Sequence, residues 1–447
     1  MTVAGIILAA GNGTRMKSDL PKPLHKVSGV ALVGHTVRIM RIAGIEDISI
    51  VVSSDLADSD ELKQALLPRV TICVQEEQLG TADALKSARA AVANAESIVV
   101  APADMVLVTD EIVREMTNVH AESNAQSTVL GVIADDPSGL GRIKLDASGQ
   151  PAAIVEEHEA DVELLQSNLI NTAWYCFDNS WIWDELDRVT PAVSGEIYLP
   201  RVIESAAESG RARAVVSDDS TMGLGVNNRV QLSRVESVMR ERTNNAHMRS
   251  GVSLQDPAQT YIDVDVEIGS DTRIGPGTHI GTRSVIGSNV TIGPNTQITS
   301  SKIGDGATVD GARIIDSVVG ENASVGPNSL VRAGAELMPG ATVGNLAEIK
   351  NSVVGTGSKI SHFSYIGDAT IGVNVNVGAG TITCNYDGVE KHPTVIEDEA
   401  LIGSSTMLVA PITVGKSAKT GAGSVVKSDV VAGDTVAGVP AKSIKSK

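Results

Sequence analysis

A glycine-rich loop near the N-terminus has the residue types of a phosphate site. The string ILAAGNGTRMKSDLPKPL, residues 7–24, begins as an apolar strand and continues into a loop with Gly11, Gly13, Arg15 and Lys22. Glycines let backbone N–H groups approach a phosphate closely, and the two cations neutralise its charge. The loop has neither the Gly-Lys-Ser/Thr ending of a Walker A loop nor the GxGxxG spacing of a dinucleotide site. We therefore expect a polyphosphate site of another kind, with a purely structural turn as the alternative.

Polar residues at two further strand ends extend this site. Gln75, Gln78, Gly80 and Thr81 follow the apolar run VTICV, where amide side chains and a Gly-Thr turn suit the edge of a base. Asp104 ends the run SIVVAPAD. A lone Asp at a strand end is often a helix cap. Beside a polyphosphate loop we favour a Mg²⁺ ligand, because Mg²⁺ binds through few protein oxygens plus phosphates.

A second group of reactive residue types lies in the C-terminal half. Arg332 and Lys350 are 18 residues apart; if three six-residue units make one turn, they lie on one face, one coil apart, and suit a phosphate. His362 follows, and a histidine can accept the proton of an attacking amine at neutral pH. Tyr365 and Asn376 come next across the face. The alternatives are ordinary solvated cations and a structural histidine.

The region around this second group repeats every six residues. It reads IGSDTR IGPGTH IGTRSV IGSNVT IGPNTQ over residues 268–297, and the repeat resumes at 319 after one-residue slips. An aliphatic residue at every sixth position, mostly followed by Gly, is typical of a left-handed parallel β-helix. The segment TCNYDGVEKHP, residues 383–393, interrupts the repeat and is predicted to leave the coil as a loop. This loop carries Asn385, Tyr386 and Lys391.

The first half alternates strand-like and helix-like segments. Apolar runs such as VAGIILAAG, DISIVVSS and STVLGVIAD are separated by segments such as TADALKSARAAVANA. This alternation predicts an α/β, Rossmann-like domain with a parallel or mostly parallel sheet, in which ligands bind beyond the carboxyl ends of the strands. The string NNRVQLSRVESVMRERTNNAHM predicts a connecting helix. We expect domains at 1–225 and 251–447, joined by a linker helix at 226–250.

Composition limits the partners of the chain. With 447 residues and a formal net charge of −18, the protein is expected to repel polyanions, so we expect no nucleic acid and no membrane among its partners. The three cysteines are far apart and form no CxxC pair, which favours buried free thiols over a zinc site or disulfides. No run of 18 apolar residues and no basic leader is present, so we expect a cytoplasmic protein.

The motifs resemble a known enzyme family. The string LAAGNGTRM…PK resembles the signature of sugar-nucleotide pyrophosphorylases. The segments LGTADAL, GLGRI, IVEEHEA, LINTAWY and GVNNRVQLSRVE occur in the order found in bifunctional N-acetylglucosamine-1-phosphate uridylyltransferases / glucosamine-1-phosphate N-acetyltransferases, and this resemblance covers nearly the whole chain. It implies acetyl transfer from acetyl-CoA to glucosamine 1-phosphate, followed by uridylyl transfer from UTP to N-acetylglucosamine 1-phosphate with release of pyrophosphate.

The resemblance also implies roles for residues of the N-terminal site. Arg15 and Lys22 would stabilise charge as catalytic residues, and Asp104 and Asn227 would bind Mg²⁺. One departure lies beside the metal site, where Ala103 replaces the glycine that usually precedes the aspartate. The residues implied for UDP-N-acetylglucosamine binding are Leu8, Ala9, Ala10, Gly11, Lys22, Gln75, Gly80, Thr81, Asp104, Gly141, Glu156, Asn171 and Asn227.

For the C-terminal site the resemblance implies that His362 is the general base. It also implies a homotrimer with sites between subunits. A departure is Gly438, where many members carry an arginine before Val-Pro, and Lys442 is assigned to the CoA phosphates in its place. The residues implied for glucosamine phosphate are Arg332, Lys350, Tyr365, Asn376 and Lys391. Those implied for acetyl-CoA are Ala379, Asn385, Tyr386, Ser404, Ala422 and Lys442.

Two other functions fit parts of the sequence. The chain could be a monofunctional sugar-1-phosphate nucleotidyltransferase whose β-helix only forms a trimer. It could also be a non-catalytic protein that binds sugar nucleotides. His362, Arg332, Lys350 and the 383–393 loop argue against the first alternative, because a structural coil needs none of them. Asp104, Asn227 and His362 argue against the second.

Overall fold

The computed structural model describes residues 2–66, 68–191 and 195–444. The chain divides into two compact units, residues 1–239 and 240–447. Each unit has its own apolar core and its own candidate site, so the two are described separately.

The first unit is built on a mixed, mostly parallel sheet, as the β–α alternation predicts. Its strands are β1 (Val3–Leu8), β2 (Lys26–Val27), β3 (Val30–Ala31), β4 (Asp47–Ser53), β5 (Val70–Gln75), β6 (Ser97–Pro102), β7 (Ser127–Ile133), β8 (Arg142–Leu145), β9 (Pro151–Val155), β10 (Leu169–Asp178) and β11 (Ala212–Ser217). The main sheet has the order β11-β7-β10-β6-β1-β4-β5. Strand β10 is antiparallel to β6 and β7, and the β8–β9 hairpin extends from β10.

Helices cover the sheet of this unit. They are α1 (Leu32–Ile42), α2 (Ser54–Ala57), α3 (Asp60–Ala65), α4 (Thr81–Lys86), α5 (Asp110–Glu122), α6 (Val162–Leu165), α7 (Ile182–Arg188) and α8 (Val202–Glu208). Short 3₁₀ turns occur at Thr14–Met16, Lys22–Leu24, Arg89–Val92, Leu199–Arg201 and Ser220–Gly223. The central strands are buried on both faces, as in β6, where Ser97 through Ala101 are all buried. Strands buried in this way read as continuous apolar runs, which is the pattern seen in the sequence.

The carboxyl ends of β1, β5 and β6 lie along one edge of the sheet. Strand β1 pairs in parallel with β4 and β6, and β4 pairs in parallel with β5. The glycine-rich loop, the Gln75–Thr81 segment and Asp104 follow these three strands, so the fold brings the three predicted motifs to the same edge.

A long helix, α9 (Arg229–Arg249), follows in the sequence. Its first half belongs to the first unit, where the Glu236 carboxylate accepts hydrogen bonds from the backbone N–H and hydroxyl of Ser28, at 2.7 Å and 3.2 Å. Its last part belongs to the second unit, where Asn244 donates to the carbonyls of Pro257 and Thr260. The domain limits at 225 and 250 remain a proposal.

The second unit is a parallel β-helix with three walls, which confirms the fold predicted from the hexapeptide repeat. Wall 1 contains Ser253–Leu254, Arg273–Ile274, Thr291–Ile292, Thr308–Val309, Ser324–Val325, Thr342–Asn345, Lys359–His362, Asn376–Val377, Leu401–Ile402, Lys419–Thr420, Thr435–Ala437 and Lys442–Ser443. Wall 2 contains Tyr261–Ile262, His279–Ile280, Gln297–Thr299, Arg313–Ile315, Leu330–Arg332, Glu348–Lys350, Tyr365–Gly367, Ile382–Cys384, Met407–Val409 and Val425–Val426. Wall 3 contains Glu267–Ile268, Val285–Ile286, Lys302–Ile303, Val318–Val319, Glu336–Leu337, Val353–Val354, Ala369–Ile371, Thr394–Ile396 and Ile412–Val414. A 3₁₀ turn, Pro257–Gln259, precedes the first wall 2 strand.

The repeated aliphatic residues form the core of this coil. Ile349, Ile360 and Ile366 are fully buried members of one continuous apolar cluster. Thr383 occupies the same inward position in the next coil of wall 2 and is also fully buried. Its hydroxyl accepts from the Gly367 N–H at 2.8 Å and donates to the Gly367 carbonyl at 3.0 Å. A side-chain hydroxyl therefore satisfies the backbone where the 383–393 insertion begins.

The three cysteines have free thiols. Cys176 is buried as expected, whereas Cys73 and Cys384 are only partly buried, so the expectation of buried thiols was wrong for these two. Among residues 2–66, 68–191 and 195–444, no helix has the length and apolar character needed to cross a membrane.

Candidate active sites

The first unit contains a cavity of about 740 Å³ at the carboxyl edge of its sheet. Its lining brings together nearly all residues predicted for nucleotide and sugar binding. They are Leu8, Ala9, Ala10, Gly11, Arg15, Lys22, Gln75, Gly80, Thr81, Asp104, Glu156, Asn171 and Asn227. Gly141 does not line the cavity, but it lies beside Glu156, whose Oε1 would be 3.4 Å from a Cβ at that glycine.

Lys22 connects residues that are far apart in the sequence. Its ammonium forms a short ion pair with Asp104 and donates to Asn227 Oδ1 at 2.8 Å. Arg15 donates to the same Asn227 oxygen at 3.0 Å. Two cations, a carboxylate and an amide oxygen are therefore gathered at one end of the cavity, an arrangement suited to an anion and a cation bound together.

The donor set at this point fits Mg²⁺. The Asp104 carboxylate and the Asn227 amide oxygen converge on one nitrogen, and both are hard oxygen donors. In the described part of the chain, no group of three or more His, Cys, Asp or Glu residues is arranged to hold a metal. Two protein oxygens suit a Mg²⁺ ion that takes its remaining ligands from phosphate and water.

The backbone at Gly80 places the next wall of the cavity. Gly80 has φ +121°, and a Cβ there would lie 2.5 Å from the carbonyl oxygen of Ile197, so only glycine fits. The buried side-chain amide of Gln75 donates to the Gly80 carbonyl at 3.2 Å and to Asp83 Oδ2 at 2.8 Å. The Thr81 hydroxyl accepts from the Leu199 N–H at 3.0 Å. These contacts fix the backbone of the 75–81 segment beside the cavity.

Another part of the lining carries Glu156 and Asn171, both partly buried. Burial raises the pKa of the Glu156 carboxyl, an effect partly opposed by His158. Asn171 donates to the Tyr175 hydroxyl at 2.7 Å and accepts from the Ala173 N–H at 3.0 Å. Sequence reasoning missed several lining residues, because they lie far from the glycine-rich loop in the sequence. They are His158, Tyr175, Glu196 and Tyr198. Asn12, which lies within that loop itself, also lines the cavity and was not singled out.

In the β-helix, four predicted residues stack in one column at the corner between wall 1 and wall 2. The His362 carbonyl accepts from the Gly380 N–H, the Ala379 carbonyl from the Ser405 N–H, and the Ser404 carbonyl from the Gly423 N–H. The column therefore runs through His362, Ala379, Ser404 and Ala422 on successive coils. The His362 side chain is exposed, so its ring is open to a ligand lying along the column.

Wall 2 carries a cationic group. Arg332 and Lys350 are register partners in neighbouring strands, as their 18-residue spacing requires. Glu348 Oε1 accepts from Arg332 Nε at 2.8 Å and from its terminal nitrogen at 2.7 Å. Interaction with the neighbouring Lys350 lowers the pKa of Lys391. We call Arg332, Lys350 and Lys391 the cationic cluster.

Tyr365 lies in the strand that leads from the column to the register position of Lys350. It begins the strand that follows His362, and its hydroxyl lies against Gly367, in the space that a Cβ would fill. Gly367 is the register partner of Lys350. Asn376, by contrast, pairs with Lys359 and Leu401 in wall 1, so a single chain does not bring it together with the cationic cluster.

Comparison with known proteins decides the family. Residues 5–170 match the family described as MobA-like NTP transferase domain, and residues 288–389 match GlmU-like, C-terminal hexapeptide. Residues 265–300 match Bacterial transferase hexapeptide (six repeats), and residues 393–428 match Hexapeptide repeat of succinyl-transferase.

A relative from Syntrophomonas wolfei, "Bifunctional protein GlmU", is 42% identical over 432 residues, which cover 96% of both chains. The chain belongs to the GlmU family. GlmU proteins of Heliobacterium modesticaldum and Exiguobacterium sibiricum are 42% and 44% identical over 96% and 95% of this chain, and over 93% and 95% of their own length.

Membership of the GlmU family gives the chain two activities. It is an enzyme with an N-terminal uridylyltransferase domain and a C-terminal hexapeptide acetyltransferase domain, as the sequence motifs indicated. The cavity with its hydrogen-bonded residues Arg15, Lys22, Asp104 and Asn227 lies in the first domain. The column and the cationic cluster lie in the second.

The two positions at which the sequence departs from the resembling motifs are Ala103 and Gly438. Ala103 lines the cavity, and its N–H donates to the Leu8 carbonyl at 3.1 Å. Gly438 has φ +99°, which a glycine adopts without strain. Lys442 is exposed and pairs with Ala437, a strand neighbour of Gly421. This places Lys442 beyond the Ala422 end of the column.

The remaining predicted acetyl-CoA residues lie on the insertion. Asn385 is buried and donates to Asp368 through a short hydrogen bond. Tyr386 is exposed, and its hydroxyl donates to the Gly388 carbonyl at 2.6 Å. Sequence reasoning missed Asp368, because an Asp at a coil corner has no signal that separates it from other corner residues.

Proposed function

We propose that the cavity transfers a uridylyl group from UTP to N-acetylglucosamine 1-phosphate, and that the column and cationic cluster transfer an acetyl group from acetyl-CoA to glucosamine 1-phosphate. The observation that carries this proposal is the stacking of His362 with Ala379, Ser404 and Ala422 in one column, together with the neighbouring cations Arg332 and Lys350 in wall 2. A coil that served only for assembly would need neither feature.

In the uridylyl reaction, the sugar phosphate oxygen attacks the α-phosphorus of UTP, and the bond to pyrophosphate breaks. The chain contributes position and charge: Arg15 and Lys22 neutralise the phosphates, and the Gln75–Thr81 segment holds the base. Glu156 and Asn171 face the sugar across the cavity. Little proton transfer is required for this step.

Magnesium belongs to this half of the proposal. Asp104 and Asn227 would hold the ion, because they are the two oxygen donors that converge on Lys22. When bound, Mg²⁺ neutralises phosphate charge during the transfer. Lys22 and Arg15 keep the Asn227 oxygen oriented toward this position.

In the acetyl reaction, His362 accepts a proton from the amino group of glucosamine 1-phosphate. The amine nitrogen forms a bond to the thioester carbonyl carbon, the carbon–sulfur bond breaks, and the CoA thiolate leaves and takes up a proton. The cationic cluster binds the sugar phosphate, and Tyr365 contacts the sugar. Ser404, or a backbone N–H near it, stabilises the developing oxyanion.

A homotrimer would complete this second site. Asn376 is predicted to contact the sugar phosphate, yet within one chain it lies in wall 1, away from the cationic cluster. A site formed between subunits would let Asn376 of one chain face the cationic cluster of another. We further propose that the enzyme acts in the cytoplasm and that acetylation comes first, with its product then used by the cavity.

A substrate-omission experiment tests the proposal. The full chain is incubated with glucosamine 1-phosphate, acetyl-CoA, UTP and Mg²⁺, and free thiol and pyrophosphate are measured separately. We expect both products, and thiol release should not require UTP. Pyrophosphate formed from N-acetylglucosamine 1-phosphate, without thiol release from glucosamine 1-phosphate, would favour the monofunctional alternative. Formation of neither product would favour a non-catalytic protein.

A further inference from the structure

Asp368 lies at the corner after the strand Tyr365–Gly367 and makes contacts that the proposed reaction does not use. Its Oδ1 accepts from Asn351 Nδ2 at 2.6 Å, and its Oδ2 accepts a short hydrogen bond from Asn385 Nδ2. Hydrogen bonds to an ionised carboxylate are stronger than those between neutral groups. Its side chain therefore joins the preceding coil to the residue at which the insertion leaves the β-helix.

The backbone of Asp368 forms hydrogen bonds with the preceding coil and with the end of the insertion. Its N–H donates to the Lys350 carbonyl at 3.1 Å, and its carbonyl accepts from the Thr394 N–H at 3.1 Å. The insertion leaves the coil near Asn385 and returns at Thr394, which begins the next wall 3 strand. One residue therefore holds both ends of the 385–393 loop, its departure through the side chain and its return through the backbone.

The loop between these ends is ordered by its own contacts. Tyr386 and Lys391 form an antiparallel bridge. Asp387 accepts from the N–H groups of Val389 and Glu390 at 2.8 Å each, and its other oxygen is 2.7 Å from the His392 ring. Because the loop is braced internally, its two ends determine where Lys391 lies.

The charges around Asp368 also help to keep Lys391 in place beside Lys350. Lys350 and Lys391 repel each other, and Asp368 attracts both. Burial raises the pKa of the Asp368 carboxyl, but the hydrogen bonds from Asn351 and Asn385 and the charges of the two lysines lower it further, so the pKa lies below its usual range. The carboxylate is therefore the counter-charge that lets two ammonium groups stay together.

We propose that Asp368 is a positioning residue for acetyl transfer. It clamps both ends of the 385–393 loop, so that Lys391 stays beside Lys350 for the sugar phosphate while Asn385 and Tyr386 keep their places for acetyl-CoA. This inference rests on the proposed acetyltransferase function of the same site. It adds that one side chain couples the binding of the two substrates.

The test compares Asp368→Asn with Asp316→Asn in the full-length protein. Asp316 occupies the equivalent corner three coils earlier, with a similar left-handed backbone (φ 47° against 50°), and it holds no insertion. In Asp368→Asn, an amide faces the Asn385 amide and the counter-charge is lost. We expect the KM values for glucosamine 1-phosphate and acetyl-CoA each to rise about tenfold, the effect of losing one charge-assisted hydrogen bond. Asp316→Asn should leave both unchanged.

Hydrogen exchange provides a readout that does not depend on activity. The amides of residues 386–392 should exchange faster in Asp368→Asn and at the wild-type rate in Asp316→Asn, while coil amides and pyrophosphate release stay unchanged in both. A fall in kcat with both KM values unchanged, a rise in one KM alone, or unaltered loop exchange would overturn the clamp. If the wild-type protein releases no thiol, the proposed function fails, whereas the exchange result still tests the clamp.

Discussion

The two units build their sites in opposite ways. In the first unit, the contacts that organise the cavity join residues 82 and 205 positions apart, such as Lys22 with Asp104 and with Asn227. In the β-helix, neighbouring site residues recur at nearly the length of one coil, as Arg332 and Lys350 do. In a coil, sequence spacing translates directly into distance, whereas in an α/β sheet the strand order decides which residues meet.

The largest effect that would separate the two sites is expected from a substitution of the exposed histidine of the β-helix. His362→Ala removes the proposed general base, and we expect thiol release to fall by about 10²–10⁴-fold, the usual contribution of such a group. Pyrophosphate release from UTP and N-acetylglucosamine 1-phosphate should stay at the wild-type level, because the cavity contains none of the column residues. Steady-state assays of each half-reaction check this, and loss of both would refute separate sites.

The reciprocal change acts on the cavity. Lys22→Ala removes the cation that holds Asp104 and Asn227 together, and we expect pyrophosphate release to fall by about 10²–10³-fold, as for loss of one preorganised charge-stabilising donor. Lys26→Ala is a suitable control, since Lys26 is an exposed lysine four residues away. An equal fall in thiol release would contradict the assignment of Lys22 to the uridylyl reaction alone.

The units should also differ in their response to acid. Burial lowers the pKa of His35 and of His120 in the first unit to about 4. Between pH 6.5 and 4 the unfolded state therefore binds more protons than the folded state, so stability is fully present above pH 6.5 and falls as the pH falls. At pH 5 we expect a loss of about 2 kcal/mol per histidine.

The walls of the β-helix should respond less than the first unit, because His279, His362 and His392 are not buried. In the second unit, burial lowers the pKa of His247, but this residue lies on α9 and not in a wall. Unit-resolved hydrogen exchange at pH 7.5 and pH 5, corrected for the intrinsic exchange rates, measures the difference. If the first unit loses no more stability than the coil between pH 7.5 and pH 5, the proposed difference between the units is wrong.

The smallest effect concerns the coil itself. Thr383→Val keeps the shape of the side chain but leaves the buried N–H of Gly367 without its acceptor, which should cost about 1–2 kcal/mol. Thr383→Ser keeps the hydroxyl and serves as the matched control. Denaturant unfolding, together with hydrogen exchange of the Gly367 amide, measures the stability of both variants. Equal stability of Thr383→Val and wild type would show that the pairing of these two coils does not need the hydroxyl.

Sequence could predict the coil further than the sheet. Six-residue spacing was sufficient for the inward aliphatic residues and for the neighbouring positions of Arg332 and Lys350. It also predicted the loop, but placed its start at 383, whereas Thr383 and Cys384 still belong to a wall 2 strand. It did not place Asn376 in wall 1, apart from the cationic cluster. In the first unit, the motifs indicated the strand ends, but the convergence of Asp104 and Asn227 on Lys22 depends on the tertiary fold. The Asp368 clamp was also hidden, because its partners are brought together only by the insertion.

Complementation of the two variants tests the central claim most directly. Neither His362→Ala nor Lys22→Ala alone should convert glucosamine 1-phosphate, acetyl-CoA and UTP into UDP-N-acetylglucosamine at an appreciable rate. A mixture of the two proteins should restore the product, because the acetylated sugar phosphate made by one protein can be used by the other. A mixture that stays inactive, although each variant retains its other half-reaction, would contradict two independent sites linked by a diffusing intermediate.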